Sequence, residues 1–423
     1  MARLIFSPSL LKAYKRFEGS VQKSLRKIDN ILAEKGAEAL FLYSESFREV
    51  NMYYLTRFLA PDPFIFFKKV DDEPVIVINP MEYPRAQKES IVKDVRSYAD
   101  YNFLETVKSA PEPKLGFLKF VAAIAKRELG TGTKIYVPPR FPTIVADTLR
   151  KEGLTIMPLF DVIEKARETK EADEINEIKA VQAVVEKVTK EVIDLIANAE
   201  VDVNGTLIVR TNGKKEPLTV RKIKSIFGHK FLDHGCVIEE EIIVACGPKG
   251  ANPHYFGNPE DELKANQPII LDVYPRSLRK RYVTDMTRTI VKGKASDEVE
   301  KMFEAVLEAK NASVDALKAG VMGSEVYDTC CNVFEKAGYA TTRGGKQITK
   351  GFLHSLGHGV GLQVHEGPAM SELYKFALEE HNILTVEPGL YDPDVGGVRI
   401  EDIVEITKTG CNNLTKMEIT LEV

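Results

Sequence analysis

The sequence predicts two domains, an α/β domain over residues 1–165 and an α+β domain over residues 166–423. Three observations carry this. At 423 residues the chain is longer than one ordinary core serves. Helical and strand-like patterns alternate through its first part, the habit of a sheet with helices on its faces. The remainder follows one order of elements twice: two helices, a histidine-bearing segment and a hairpin, with no letter-by-letter repeat.

In the first domain a charged amphipathic run from about Leu10 to Lys35 reads as helix, followed by strands at Ala39 to Tyr43, Phe64 to Phe67 and Val75 to Ile78. A helix near Leu115 to Arg127 leads to a strand at Lys134 to Val137, then a helix after Pro142 and a strand at Leu154 to Pro158. Its charged residues are scattered, and no chemistry is assigned to it. Thr169 reads as the N-cap of a long helix, because Glu171, Asp173 and Glu174 follow where a helix start favours negative charge. Ile175, Ile178, Val181, Val185, Val188, Val192 and Leu195 or Ile196 then recur at helical spacing.

A turn-rich excursion with two Asn-Gly pairs over Val203 to Pro217 separates this helix from a second at about Thr219 to Ile226. Strand-like Ile238 to Ala245 leads to a loop, Gly247 to Pro253, that delivers His254. Pro268 to Val273 is an apolar strand with Asp272 inside it, and Tyr282 to Val291 is its hairpin partner. The order then recurs. Ser296 caps a helix ending before Gly320, Ser324 caps another stopped by Gly338, and a histidine strand is followed by Asn382 to Leu390, a Pro-Asp-Val-Gly-Gly turn and Val398 to Ile406.

Composition removes several function classes. Lys+Arg 58 against Asp+Glu 62 leaves a net charge of −4, which implies neither a nucleic-acid partner nor an acidic membrane surface. The basic cluster Arg276, Arg279, Lys280 and Arg281 has no interleaved aromatics and reads as a solvated hairpin tip. Five cysteines form no C-x-x-C pair and no even framework, which suits a reducing, cytoplasmic setting. Neither an export segment nor an apolar run of about 18 residues is expected.

Chemistry concentrates in His354 to Pro368, which holds three of the seven histidines among glycines. Gly357, Gly359 and Gly361 make a helix costly there, so the stretch reads as an extended active-site strand. In extended chain four residues span roughly 13 Å, so His354 and His358 cannot both ligate one ion. Asp272 and Asp285 would lie directly opposite each other in a hairpin turning between Leu278 and Arg279, and Glu387 and Glu401 in one centred on Asp394. Like charges opposite on paired strands repel, and an acid in an apolar run is costly unless compensated. Either the acids are protonated or paired with Arg288 and Arg399, or they hold cations. Four carboxylates and one imidazole suit two divalent ions, Mn²⁺ first, with Co²⁺, Zn²⁺ or Fe²⁺ as alternatives.

The strings Asp-Met-Thr-Arg-Thr (285–289), Gly-His-Gly-Val-Gly-Leu-Gln-Val-His-Glu-Gly-Pro (357–368), Val-Glu-Pro-Gly-Leu-Tyr (386–391) and Gly-Val-Arg-Ile-Glu-Asp (397–402) resemble those of the pita-bread metallopeptidases, specifically the aminopeptidase P and prolidase group. Asn51 to Thr56 resembles, more weakly, the creatinase-like N-terminal domain of that group. The resemblance implies a creatinase-like α/β domain before a pita-bread catalytic domain with pseudo-twofold halves. It implies that Asp272, Asp285, His358, Glu387 and Glu401 are ligands of two ions, with Asp285 and Glu401 bridging. Hydrolysis of the Xaa-Pro bond by a hydroxide between the ions follows, with Glu387 as proton carrier and His254, His354 and His365 at the substrate.

Arg399, two residues before Glu401, is expected to steady that carboxylate or the substrate. The resemblance further implies a homodimer and a peptide substrate with proline second. A methionine aminopeptidase-like enzyme and a non-catalytic, metal-stabilised peptide-binding protein are the alternatives. The hairpin departs from the family pattern: Tyr274 stands where Gly is usual, Arg281 stands where Gly is usual before Tyr282, and the two aspartates are thirteen apart instead of eleven. These changes fall on the pocket rim.

Overall fold

Strand Ala39–Ser44 lies inside a six-stranded mixed sheet, antiparallel to Phe64–Lys69 and parallel to Lys134–Val137. These strands, with Val75–Ile78, Asp94–Ser97 and Thr155–Pro158 beyond them, belong to the first of two units. The computed structural model describes residues 24–211 and 213–423, and the chain divides between Arg167 and Glu168. Helix Pro113–Leu129 starts on a proline, whose missing N–H is no loss there, and buries Phe120, Val121, Ile124 and Ala125 against the sheet. Of the helical run expected from Leu10, residues 24–34 are helical. Its earlier part lies outside the described residues.

The second unit opens on helix Ala172–Ala197. Its cap is Glu171, which forms a capping box with Glu174. Thr169, expected in that role, is still extended and bridges Asn382. Ile175, Ile178, Val181, Val185, Val188, Val192 and Ile196 are buried, each stabilising by roughly 1.5–3 kcal/mol relative to exposure. The excursion expected over Val203 to Pro217 is instead a three-stranded sheet of Glu200–Val201, Leu207–Thr211 and Lys214–Pro217. Most of it is exposed, so little apolar alternation marks it. The second helix runs Val220–Asp233, a full turn and more past the expected end, and joins the same core through Ile223, Phe227 and Phe231.

Under these helices lies an antiparallel sheet of Ile243–Cys246, Pro268–Val273 and Met286–Val291. Of the strand expected over Ile238 to Ala245 only the part from Ile243 forms, and Cys236–Val237, just before that range, pairs with Arg276–Ser277. Arg276 and Arg281 are not a solvated tip. Both ion-pair with Glu239, and Arg276 is buried.

The second half repeats the plan. Ser296 caps helix Asp297–Ala316, its hydroxyl accepting from Val299 N–H. Helix Gly323–Lys336 begins after Met322, so Ser324 lies in its first turn and is not the cap. The histidine segment is a pair of strands, Gly357–Gly359 and Glu366–Met370, and not one extended run. They approach so closely that a Cβ on Gly359 would stand 2.2 Å from the Gly367 carbonyl oxygen. Ile383–Val386, Asp402–Ile406 and Cys411–Asn413 complete this five-stranded sheet, and Gly389–Asp392 with Gly396–Arg399 form a hairpin beside it.

Polar contacts stitch the halves where the acids sit. Thr289 Oγ1 donates to the Arg399 carbonyl and accepts from Arg399 N–H, both at 2.9 Å, and Glu401 N–H donates to Thr287 O at 3.1 Å. Buried Asp402 takes Arg288 at 2.9 Å and Lys310 at 2.5 Å. A Cβ at Gly397 would lie 2.2 Å from the Gly250 carbonyl, so the contact between Gly247–Ala251 and the hairpin requires glycine. Among the described residues no helix is long and apolar enough to cross a membrane, and all five cysteines are free.

Candidate metal centre

Five sequence-selected side chains converge at this seam. Asp272 comes from strand Pro268–Val273, and Asp285 directly precedes strand Met286–Val291. His358 lies within Gly357–Gly359; Glu387 and Glu401 occupy the two-residue gaps after Ile383–Val386 and before Asp402–Ile406. Each lies in a strand or directly beside one, so the neighbouring ladders fix where it points.

Register decides the details. Ile383 faces Glu405 and Gly389 faces Arg399, so Glu387 and Glu401 lie level as expected. Asp272, however, faces Thr287, with Val273 facing Met286. The expected Asp272 and Asp285 pairing is thus out by two residues. The hairpin turns one residue later than expected, over Leu278 to Arg281: Arg276 bridges Val283, Ser277 N–H donates to the Tyr282 carbonyl, and Arg281 takes φ +65°. An offset of two retains the face, so both aspartates still point to one place.

His358 Nε2 stands 3.3 Å from Glu387 Oε1 and 3.8 Å from Asp285 Oδ2. Its Nδ1 lies 3.2 Å from the Gly359 carbonyl, which accepts the Nδ1 proton and leaves the Nε2 lone pair facing the acids. Burial, then His365, holds the ring's pKa down to about 4. Ligand atoms of Asp285, His358 and Glu401 all lie within 4.8 Å of one another. Asp285 is buried, and its Oδ1 has no hydrogen-bond partner among the described residues.

Burial, then Glu401, Asp272 and Glu387, pushes the Asp285 carboxyl well above its usual range. Glu387 is raised by burial and then by Glu401, and Glu401 is pushed up to about 8 by burial and then by Asp272. A buried oxygen without a donor and three carboxyls that resist ionisation form a site short of positive charge. A divalent cation fits it: the donors are hard oxygens with one imidazole nitrogen.

The surrounding shell was read less well from sequence. Arg399 pairs with Asp272, not with Glu401, because its guanidinium reaches across to the first half. It touches Glu401 only through Thr287: Nε donates to Thr287 Oγ1 at 3.2 Å, which donates to Glu401 Oε2 at 2.8 Å. Arg399 Nη1 also donates to Tyr391 OH at 2.7 Å, and that hydroxyl lies 2.9 Å from His354 Nε2. Since His354 Nδ1 donates to the Ser355 carbonyl at 2.7 Å, its Nε2 accepts from Tyr391. Both nitrogens of His354 are engaged, and burial with Arg399 lowers its pKa to about 3.

His365 is exposed, its ring centroid 4.3 Å from that of His358. His254 is also exposed, its backbone N–H bonded to Asn252 Oδ1. Tyr391 and Thr287 were not singled out from sequence. The alternation that puts Thr287 on the face of Asp285 could have found it, and Tyr391 ends the Val-Glu-Pro-Gly-Leu-Tyr string that already carries the resemblance.

Comparison with known proteins matches residues 176–408 to metallopeptidase family M24 and residues 25–168 to the creatinase/prolidase N-terminal domain. An Xaa-Pro dipeptidase of Pyrococcus furiosus is 33% identical over 234 residues, 54% of this chain and 63% of the relative. One from Pyrococcus horikoshii is 35% identical over 208 residues, 49% of this chain and 55% of the relative. The chain thus spans little more than half the length of these curated relatives. Among solved structures, the prolidase of Pyrococcus horikoshii superposes with a TM-score of 0.73 at 25% identity, covering 94% of this chain and 99% of that one. The Xaa-Pro dipeptidase of Bacillus anthracis reaches 0.76 at 22% identity over 95% and 100%, which speaks to the fold.

Proposed function

The chain belongs to metallopeptidase family M24, with a creatinase/prolidase N-terminal domain, and from that premise we propose that it hydrolyses the bond between an N-terminal residue and proline. The observation that carries the reading is the charge-deficient cluster of four acids and His358, with the Asp285 Oδ1 atom lacking a donor. Asp272, Asp285, His358, Glu387 and Glu401 would hold two divalent ions, Mn²⁺ being the best match to an oxygen-rich set. When bound, such ions polarise a carbonyl and lower the pKa of water at neutral pH.

The protein's own groups do the rest. Glu387 takes a proton from water and passes it to the departing proline nitrogen, which carries no hydrogen before cleavage. His365, exposed beside His358, donates to the developing oxyanion, with His254 as the second exposed imidazole. His354 and Arg399 act behind the site, through Tyr391 and on Asp272, keeping that carboxylate aimed.

A dipeptide substrate is favoured over longer peptides. The hairpin joining Glu387 to Glu401 is short and has no added loop to hold an extended chain. The names of the two Pyrococcus relatives favour the same class, and the N-terminal match sets the reading apart from a methionine aminopeptidase. We further propose a cytoplasmic homodimer.

The test is hydrolysis of Ala-Pro, Met-Pro, Arg-Pro-Pro and Met-Ala-Ser by protein stripped of metal and reloaded with Mn²⁺, Co²⁺, Zn²⁺ or Fe²⁺. Ala-Pro and Met-Pro should be cut fastest with close to two ions per chain. Cleavage of Met-Ala-Ser alone would refute the proline reading. No cleavage by fully loaded protein would leave a peptide-binding protein.

A further inference from the structure

The hairpin Val273 to Tyr282 contains a buried arginine that the chemistry above does not use. Arg276 is 7% exposed. Its Nη1 donates at 2.6 Å to the carbonyls of both Leu362 and Arg281, and its Nε side faces Glu239 at 2.5 Å. Glu239 holds Arg281 with its other oxygen at 2.6 Å. Leu362 belongs to the loop, Gly361 to Val364, between His358 and His365. Val283 N–H donates to the Gly361 carbonyl at 2.8 Å, so two consecutive carbonyls of that loop are gripped by the same hairpin.

The far end of the loop is tied separately. Glu366 Oε2 accepts from Gln363 N–H at 3.3 Å, and its Oε1 pairs with buried Lys170 at 2.7 Å. His358 itself sits on a strand paired on both sides. His365 lies just outside that ladder, between the gripped loop and Glu366, which pairs with Gly359.

We infer that Arg276, oriented by Glu239, is a positioning residue that sets His365 against the metal centre by holding the Leu362 carbonyl. A neutral side chain would lack the donors, and the Leu362 carbonyl would lose this tie to the hairpin while that of Gly361 keeps Val283. His365 would then shift relative to the reacting carbonyl, while His358, fixed by its own ladder, would stay. Misplacement of about 1 Å lowers turnover on the order of 100-fold.

The inference rests on the Xaa-Pro reading, so wild-type hydrolysis of Ala-Pro is measured first and tests that reading alone. Arg276→Met, Arg276→Lys and Glu239→Gln are then compared with wild type for kcat, KM, bound Mn²⁺ per chain and amide hydrogen exchange. Arg276→Met should lower kcat on the order of 10- to 100-fold, with KM and metal content near wild type. Exchange should quicken in the 361–366 segment and nowhere else in the second unit. Arg276→Lys, which keeps a charged donor, should recover much of kcat, and Glu239→Gln should fall between. Unchanged kcat with unchanged 361–366 exchange in folded Arg276→Met overturns the inference. So does loss of metal in step with kcat, or Arg276→Lys no better than Arg276→Met.

Discussion

Stripped of metal, the protein should lose stability as pH rises from 6.5 to 8. Glu401 is the best-defined cause: burial, then Asp272, pushes its pKa up to about 8 from an ordinary 4.5. Between those values the native carboxyl holds a proton that the unfolded chain has released. A folded state that binds more protons is destabilised by rising pH, by about 1.4 kcal/mol per pH unit for one group.

Below pH 6.5 the histidines act with the opposite sign. His358 and His354, depressed to about 4 and about 3, remain neutral in the native protein while the unfolded imidazoles protonate, so stability there rises with pH. Above 6.5 that contribution is complete, and the loss from the Glu401 carboxyl runs unopposed by it. Over 1.5 units it amounts to about 2 kcal/mol, and raised Asp285 and Glu387 add to it in the same direction. For a unit of roughly 250 residues this is a fall in Tm of about 4–8 °C.

Scanning calorimetry of chelator-treated protein from pH 5 to 8.5, at fixed ionic strength, measures it. With saturating Mn²⁺ the decline should vanish, because the acids ionise against cation, and binding should release protons. A metal-free Tm that is flat or rises between pH 6.5 and 8 would refute the reasoning.

Glu387→Gln should lower kcat by orders of magnitude with KM changed little, since it removes a proton carrier and not a binding contact; steady-state kinetics at matched metal content checks this. Metal analysis should find that Asp285→Ala and Glu401→Ala lose both ions, whereas His358→Ala weakens mainly one. Gly397→Ala drives a Cβ to 2.2 Å from the Gly250 carbonyl, and denaturant unfolding should register a loss of about 1–3 kcal/mol. Lys310→Met leaves buried Asp402 with Arg288 and Asn413 but one cation short, and should destabilise by about 3 kcal/mol in the same assay.

Much of this protein could be read from its residues because burial leaves periodic traces. The helix Ala172–Ala197 followed from its 3.6-residue apolar stripe, and Asp272 stood out as an acid in a run that otherwise reads as fully buried strand. The pairing around Glu387 and Glu401 followed from a turn centred on Asp394, since a short hairpin ties register to sequence distance.

Where sequence distance does not set geometry, only the tertiary structure decided. The hairpin after Asp272 turns over Leu278 to Arg281, one residue later than its spacing suggests, so Asp272 faces Thr287 and not Asp285. Arg276 looks like surface charge in sequence, yet a carboxylate from Glu239 and a carbonyl from Leu362, far apart along the chain, make its burial affordable. Arg399 chose Asp272 over nearby Glu401 for the same reason: a long side chain answers to whichever acid the fold brings within reach, and local spacing carries no record of that choice.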